Sequence, residues 1–81
     1  MIKDKRTQKT ILRKLLKSLR EKANLRQIDL AHHLNRPQSF VSKYESGEKS
    51  LNLIETREIC ESLGITLSDF IRRFEKEINE S

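Results

Sequence analysis

A chain of 81 residues, 35% hydrophobic and 36% charged, has room for one small core and little space for a buried catalytic pocket. No apolar run approaches the roughly 18 residues of a membrane span, and no signal-peptide core follows the charged start MIKDKRTQK. We therefore expect a single domain over residues 1–81, located in the cytoplasm and without a membrane partner.

The net charge of +5 is distributed unevenly along the chain. Counting Lys and Arg against Asp and Glu, residues 1–26 carry +8, residues 27–50 are neutral and residues 51–81 carry −3. A basic front end and an acidic back end indicate a polyanionic partner on one side only. The alternative is that the basic residues merely solvate the outer face of the first helix.

Helical periodicity runs through the chain and no alternating strand pattern is present, so the sequence predicts an all-α fold. After a charged arm at 1–6, the first helix is expected over residues 7–23, with Asn24 as its left-handed cap. Its apolar stripe contains Leu12, Leu15, Leu16, Leu19 and Ala23. The second helix, residues 26–34, begins at Arg26, where the absence of a capping Ser or Thr forgoes about 1 kcal/mol. Its inward residues are expected to be Ile28, Leu30, Ala31 and Leu34.

The third predicted helix opens at Pro37, runs to about Glu45 and is ended by Gly47. At 100° per residue, one side is apolar enough to be packed and carries Pro37, Val41 and Tyr44. The opposite side carries Ser39, Ser42, Lys43 and Ser46. Because short hydroxyls are poor helix formers, this outer side is typical of a surface that another molecule approaches closely.

Two further helices complete the predicted fold. Asn52 and Glu55 have the spacing of a capping box and start a fourth helix that runs through Leu63, with Gly64 as its stop. Its inward residues are Ile59, Cys60 and Leu63, and the single cysteine is interpreted as a core residue. Thr66 and Asp69 repeat the capping device before a fifth helix at 67–79. That helix carries Leu67, Phe70, Ile71, Phe74 and Ile78 at helical spacing.

Two short helices joined by a three-residue turn have the layout of a helix-turn-helix. Ala31 lies where the two helices would cross, and a larger side chain there would push them apart. Asn35 lies in the turn, where it tolerates a left-handed backbone. Val41 is the inward β-branched residue that holds the second helix of the motif onto the first.

The stretches LREKANLRQIDLAHHL, NRPQSFVSKYESGEKSL and ESLGITLSDF resemble the Xre/Cro/C1 helix-turn-helix family of bacterial and phage regulators. The resemblance covers residues 12–70 and implies a compact five-helix, lambda-repressor-like domain that binds operator DNA, usually as a dimer. It implies that Arg20 pairs with Glu45 and that Gln27 contacts a phosphate. It also implies that four side chains face the bases or the nearby DNA backbone: Gln38, Ser39, Ser42 and Lys43.

Three positions depart from the family pattern: Asn35 replaces the turn glycine, Arg36 an apolar residue and Arg26 a capping Ser or Thr. Two of the three add positive charge beside the proposed groove, which favours phosphate contact. With Lys49 added, the candidate DNA-binding residues are Arg26, Gln27, Arg36, Gln38, Ser39, Ser42, Lys43 and Lys49. The candidate structural residues of the motif are Arg20, Ala31, Asn35, Val41 and Glu45.

The chemistry of the outer face suits base recognition. Gln38 can bind adenine through N6 and N7 together, and Lys43 can reach guanine or a phosphate. Phe40 falls on the flank of the packed side, where it either packs or makes apolar contact with thymine methyl groups. These side chains predict a sequence-specific regulator of transcription, most simply a repressor, that reads double-stranded DNA.

Other functional classes have less support in the sequence. His32 and His33 are adjacent and point about 100° apart, so they cannot share a metal as an i, i+4 pair would. No nucleophile triad, glycine-rich phosphate loop or metal-ligand cluster is recognisable, so we expect no enzyme, no metal and no cofactor. The alternative function is a protein-binding module, or an antitoxin that binds both a partner protein and DNA.

The fifth helix predicts self-association. The domain core can absorb Leu67 and Phe70, whereas Phe74 and Ile78 extend past it and call for a covering surface. We therefore expect a homodimer that binds an inverted repeat. Its predicted interface is Phe70, Ile71, Phe74 and Ile78. The alternative is that this tail packs on the first helix of its own chain.

Overall fold

The computed structural model describes residues 4–80, which form five α-helices and no strand. The helices are α1 (Lys5–Lys22), α2 (Gln27–His33), α3 (Gln38–Ser46), α4 (Leu53–Ser62) and α5 (Leu67–Glu80). Their order confirms the predicted all-α, five-helix fold. Of the expected arm at 1–6, residues 1–3 lie outside the described part of the chain, and Lys5 and Arg6 already belong to α1.

Local hydrogen bonds account for where α1 and α4 begin. Asp4 Oδ1 accepts a hydrogen bond from the Thr7 backbone N–H at 2.8 Å, which starts α1 two residues earlier than predicted. Asn52 Oδ1 accepts from the Glu55 N–H at 2.7 Å, and Glu55 Oε1 accepts from the Asn52 N–H at 3.0 Å. The capping box predicted for α4 is therefore complete.

The remaining helix boundaries combine a hydroxyl cap with left-handed residues. Thr66 Oγ1 accepts from the Asp69 N–H at 3.1 Å and so caps α5. Asn24 and Asn35 have φ values of +59° and +54°, and Gly47 ends α3 at +91°. These values confirm the left-handed conformations expected for both asparagines, since Asn is among the few non-glycine residues that tolerate this region.

The core lies where α2 packs on α3, with α1 against α3 and α5, and α4 against α5. Its buried members are Leu16, Leu30, Ala31, Phe40, Val41, Tyr44, Ile59, Cys60 and Phe70. Cys60 is a core residue, as predicted, and burial raises the pKa of its thiol to about 11. The two helices of the motif are thus joined through small and β-branched residues, Ala31 and Val41, that have almost no exposed surface.

Three residues expected to pack inward do not, and the first of them, Ala23, is the exposed C-cap of α1. Ile28 is 46% exposed, because on α2 it precedes Leu30 by two residues and so points about 200° away from it. Pro37 is also exposed, since it is the N-cap of α3 and precedes the first turn that packs on the core. The packed side of α3 is instead formed by Phe40, Val41 and Tyr44.

The crossing of α2 and α3 yields a test of the fold. Ala31 is 1% exposed at this crossing, so Ala31→Leu should lower the free energy of unfolding by about 1–3 kcal/mol through overpacking. The matched control is Ala23→Leu at the exposed C-cap of α1, where a change within about 0.5 kcal/mol is expected. Urea denaturation followed by circular dichroism measures both, and equal effects of the two substitutions would contradict the close approach of the helices.

Candidate nucleic-acid interface

The two faces of α3 differ sharply in their surroundings. Phe40, Val41, Tyr44 and Glu45 are buried on its inner side. The outer side presents exposed side chains, which form no hydrogen bond or ion pair with the rest of residues 4–80: Gln38, Ser39, Ser42 and Lys43. Ser46 differs, because its hydroxyl donates to the Lys43 carbonyl at 3.1 Å. Four polar side chains on one helix face are therefore available to an incoming ligand.

A buried ion pair fixes the orientation of α3. Arg20 Nε and Nη2 donate to the two carboxylate oxygens of Glu45 at 2.7 and 3.0 Å, and both residues are 7% exposed. The hydrogen bond that Arg20 donates to Glu45 raises the pKa of Arg20. Arg20 Nη1 also donates to the Leu25 carbonyl at 2.6 Å. Arg20 on α1 thereby holds both α3 and the loop before α2.

Gln27, the first residue of α2, joins the same group. Its Nε2 donates to Glu45 Oε1 at 2.9 Å, a contact that sequence reasoning missed. One of the two amide N–H groups of Gln27, the residue implied to contact a phosphate, is thus used inside the protein. The backbone N–H groups in the first turn of α2 are further donors at this end of the motif.

Arg26 is closely paired with Asp29. Its Nε and Nη2 donate to Asp29 Oδ2 and Oδ1 at 3.0 and 2.9 Å, and its backbone N–H donates to Oδ2 at 2.9 Å. These contacts lower the pKa of Asp29 to about 2. The Arg26 side chain accepts no capping hydrogen bond, as predicted, but the Asp29 carboxylate supplies the other half of a capping box.

Arg36 and Lys49 link the end of the motif to α4. Arg36 lies 3.6 Å from Glu58 and 4.0 Å from Glu55, while Lys49 lies 3.4 Å from Glu55. The guanidinium of Arg36 stacks 4.4 Å from the centre of the Phe40 ring, and Lys49 lies 5.6 Å from it. Phe40 also packs edge-to-face on Tyr44. Phe40 was expected either to pack in the core or to contact thymine methyl groups, and in the structure it is packed.

The turn of the motif is closed by backbone hydrogen bonds. The Arg36 N–H donates to the Ala31 carbonyl at 3.0 Å, and the Asn35 N–H donates to the His32 carbonyl at 3.1 Å. This pattern follows from the left-handed Asn35 and satisfies the last carbonyls of α2. Asn35 therefore serves in place of the glycine usual in such a turn.

The C-terminal helix corrects one predicted interface residue. Phe70 is 1% exposed within a single chain, so it cannot form the surface of a dimer. Ile71 is 42% exposed, and Phe74 and Ile78 are half-buried. The alternative that α5 packs on its own first helix holds in part, since α5 contacts both α1 and α4.

A second exposed apolar site lies at the start of α4 and was not expected. Leu53 and Ile54 are 64% and 66% exposed. Their sequence contains a signal for this, because two neighbouring residues in the first turn of a helix point about 100° apart and cannot both face one core.

Neither a metal site nor a membrane span is found in residues 4–80. His32 and His33 are both exposed, and no group of three or more His, Cys, Asp or Glu side chains in this part of the chain could hold a metal ion. Within the same range, every helix is too short or too polar to span a bilayer.

Comparison with known proteins places this geometry among regulators. A helix-turn-helix family model matches residues 16–70. The control protein C.MunI of Mycoplasma sp. is 34% identical over 64 residues, which span 79% of this chain and 86% of C.MunI. An XRE-family like protein from Pseudomonas syringae pv. tomato superposes with a TM-score of 0.84 at 35% identity, over 89% of this chain and 88% of its own.

A third match extends the structural comparison. The restriction-modification controller protein C.Esp1396I, as a tetramer in complex with its natural 35 base-pair operator, superposes with a TM-score of 0.81. The match spans 88% of this chain and 93% of that one. At 22% identity, this likeness shows the fold.

The buried ion pair yields a stability test. Arg20→Ala leaves the Glu45 carboxylate buried without its cation and should lower the free energy of unfolding by about 3–5 kcal/mol. Lys17→Ala, on the exposed surface of α1, is the control and should change it by less than about 0.5 kcal/mol. A double variant, Arg20→Leu with Glu45→Leu, should regain much of the loss. Equal melting temperatures for Arg20→Ala and Lys17→Ala would rule out the pair as a stabilising contact.

Proposed function

Because this chain belongs to the Xre/Cro/C1 family of helix-turn-helix DNA-binding regulators, we propose that it represses transcription by inserting α3 into the major groove of operator DNA. The observation that carries the proposal is the outer face of α3, where four short or flexible polar side chains are exposed while the inner face is anchored. A helix must approach base edges within hydrogen-bonding distance, and long acidic side chains on this face would repel the phosphates.

Each residue of this outer face has a distinct role in the proposal. Gln38, at the start of α3, donates to and accepts from one adenine edge. Ser39 and Ser42 pair with bases or the adjoining sugar-phosphate backbone, since a hydroxyl both donates and accepts. Lys43 binds a guanine edge or a phosphate as a flexible point charge.

The paired cations of the site are assigned to phosphates. Arg26, Arg36 and Lys49 each form an ion pair with a carboxylate in the free protein. In a complex with DNA, each would bind a phosphate oxygen, either in place of that carboxylate or in addition to it. The N-terminus of α2, at Gln27, offers backbone N–H groups to another phosphate. Such contacts predict an affinity for duplex DNA that falls steeply as the salt concentration rises.

The proposed biological setting follows the relatives. C.MunI is a control protein, and C.Esp1396I is a restriction-modification controller bound to its operator as a tetramer. By extension, the operator of this protein lies at the promoter of a restriction-modification system. Binding to a partner protein in the absence of any DNA binding would overturn this assignment in favour of a protein-binding module or antitoxin.

We assign self-association to α5. Ile71, Phe74 and Ile78 succeed one another along one side of this helix, and Ile71 has the largest exposed fraction of the three. A two-fold dimer covers such a stripe and places two copies of α3 about 34 Å apart, one turn of DNA. The proposed operator is therefore an inverted repeat whose two half-sites lie on the same side of the duplex.

Base recognition can be tested on α3. Gln38→Ala should weaken binding to the preferred duplex by about 1–3 kcal/mol and relax the preference at one base pair. Lys43→Ala, if its partner is a phosphate, should weaken binding to all sequences similarly and reduce the salt slope by about 1. Fluorescence anisotropy with a duplex selected from a random library by the wild-type protein gives both values. Unchanged affinity and preference for Gln38→Ala would remove Gln38 from the recognition set.

Self-association can be tested on α5. Light scattering should give twice the mass of one chain for the wild-type protein and a monomer for Ile71→Asp with Phe74→Asp, because buried carboxylates at the interface cost more than the contact returns. Ile28→Asp replaces a similarly exposed isoleucine on α2 and should leave the dimer intact. A monomeric wild-type protein, or a double variant that remains dimeric, would exclude this interface.

A further inference from the structure

A cavity of about 600 Å³ lies between the first half of α1, the C-terminal end of α3 and the loop that leads to α4. This volume is within the range of small-molecule sites in proteins. None of the residues that line the cavity is acidic, and five are cationic: Lys5, Arg6, Lys9, Arg13 and Lys49. The cavity therefore has a concentrated positive potential that favours an anionic ligand.

Most of this charge is uncompensated. Lys5, Arg6, Lys9 and Arg13 form no ion pair with a carboxylate within residues 4–80, in contrast to Arg26 and its partner. Lys49 alone of the five has one, with Glu55. The sequence placed these cations on the first helix, and the fold brings four of them to one recess.

Two of the cations are positioned by the protein. Arg13 Nη1 donates to the Glu45 carbonyl at 3.0 Å, and its guanidinium lies across Gly47, where an added Cβ would meet Nε at 3.3 Å. The rest of this planar fork remains available to a ligand. Lys9 Nζ lies 3.4 Å from Ser50 Oγ on the opposite side of the cavity. The recess is thus framed by side chains from both of its walls.

The inner wall contains an unsatisfied donor. Tyr44 lines the cavity, is 1% exposed, and its hydroxyl has no hydrogen-bond partner among the described residues. Burial raises the pKa of this hydroxyl, so it keeps its proton. A buried polar group without a partner is costly, and a ligand atom that accepts this hydrogen bond would remove the cost. Leu12 and Leu51 add apolar surface to the lining.

We propose that this cavity binds a nucleoside diphosphate or triphosphate. Its phosphate chain lies among the cations of α1, and its sugar and base extend along Leu12, Leu51 and the hydroxyl of Tyr44. The phosphates of duplex DNA lie on a convex surface and would contact only the outer rim of this cavity. A small ligand, in contrast, can enter the cavity and contact its apolar inner wall. The cavity adjoins the proposed DNA interface at Ser46 and Lys49 but contains none of Gln38, Ser39, Ser42 and Lys43, and the proposal does not depend on DNA binding.

Binding is measured on the full 81-residue chain in the absence of DNA. GTP and ATP are titrated by calorimetry, and inorganic tripolyphosphate is followed by tyrosine fluorescence, since Tyr44 is the single tyrosine and the chain has no tryptophan. We expect saturable binding at a single site and a change in Tyr44 emission. Lack of saturable binding of either nucleotide would overturn the proposal.

A matched pair of variants distinguishes binding in the cavity from general electrostatic attraction of the nucleotide to the basic helix α1. Lys5→Gln with Lys9→Gln removes two charges from the cavity, and Lys14→Gln with Lys17→Gln removes two from exposed positions of the same helix. We expect the first variant to lose at least about tenfold in affinity for GTP or ATP and the second to lose less than about threefold. Equal losses would show a diffuse charge effect and would overturn the site.

Two further measurements keep the test independent of folding and of DNA. Tyr44→Phe keeps the ring and removes only the hydroxyl, so it should melt at a higher temperature without ligand and bind the nucleotide more weakly. Affinity for duplex DNA should be the same for the two charge variants. A selective loss of DNA affinity in Lys5→Gln with Lys9→Gln, without nucleotide binding by the wild-type protein, would assign the cavity to a DNA phosphate and overturn the proposal.

Discussion

The arrangement of the helix-turn-helix depends on one buried carboxylate. Glu45 belongs to α3 and accepts hydrogen bonds from Arg20 of α1 and from Gln27 of α2, so three helices meet at two oxygen atoms. Removing both charges from water is expensive, and close geometry with three donors offsets that cost without a large net gain in stability. What the contact supplies is orientation, because it allows α3 one rotation about its axis. The polar residues on the outer side of α3, Gln38, Ser39, Ser42 and Lys43, are turned outward as a consequence.

The surface charge around this centre is of two kinds. Arg26, Arg36 and Lys49 are neutralised by carboxylates of α2 and α4, whereas Lys43 and the cations at the start of α1 have no such partner within residues 4–80. A polyanion that approaches the paired cations must displace a carboxylate, which reduces the net electrostatic gain of each contact. The unpaired cations attract without that cost. The positive electrostatic potential is therefore weaker near α2, and stronger near the N-terminal half of α1, than an even distribution of the net charge would give.

Local features were predictable from the sequence, and contacts between distant residues were not. The capping box of Asn52 and Glu55 and the left-handed Asn35 depend on neighbours within a few positions, so residue spacing alone identifies them. The Gln27–Glu45 bond joins residues 18 positions apart and depends on side-chain rotamers, for which the sequence has no local signal. The sequence showed the periodic apolar stripe of α5. It did not show which of these residues the core covers, because that depends on how far α1 and α4 extend along α5. Phe70 is covered and Ile71 is not.

Cys60 provides an internal reporter of the whole fold. Its thiol has no exposed surface, lies among the packed core residues and has a raised pKa, so reagents that require a thiolate cannot reach it in the native protein. Alkylation then requires an opening that separates α4 from its neighbours, an event close to global unfolding for so small a core. Slow modification of this single thiol would follow the population of the open state in an unmodified chain, without any introduced label.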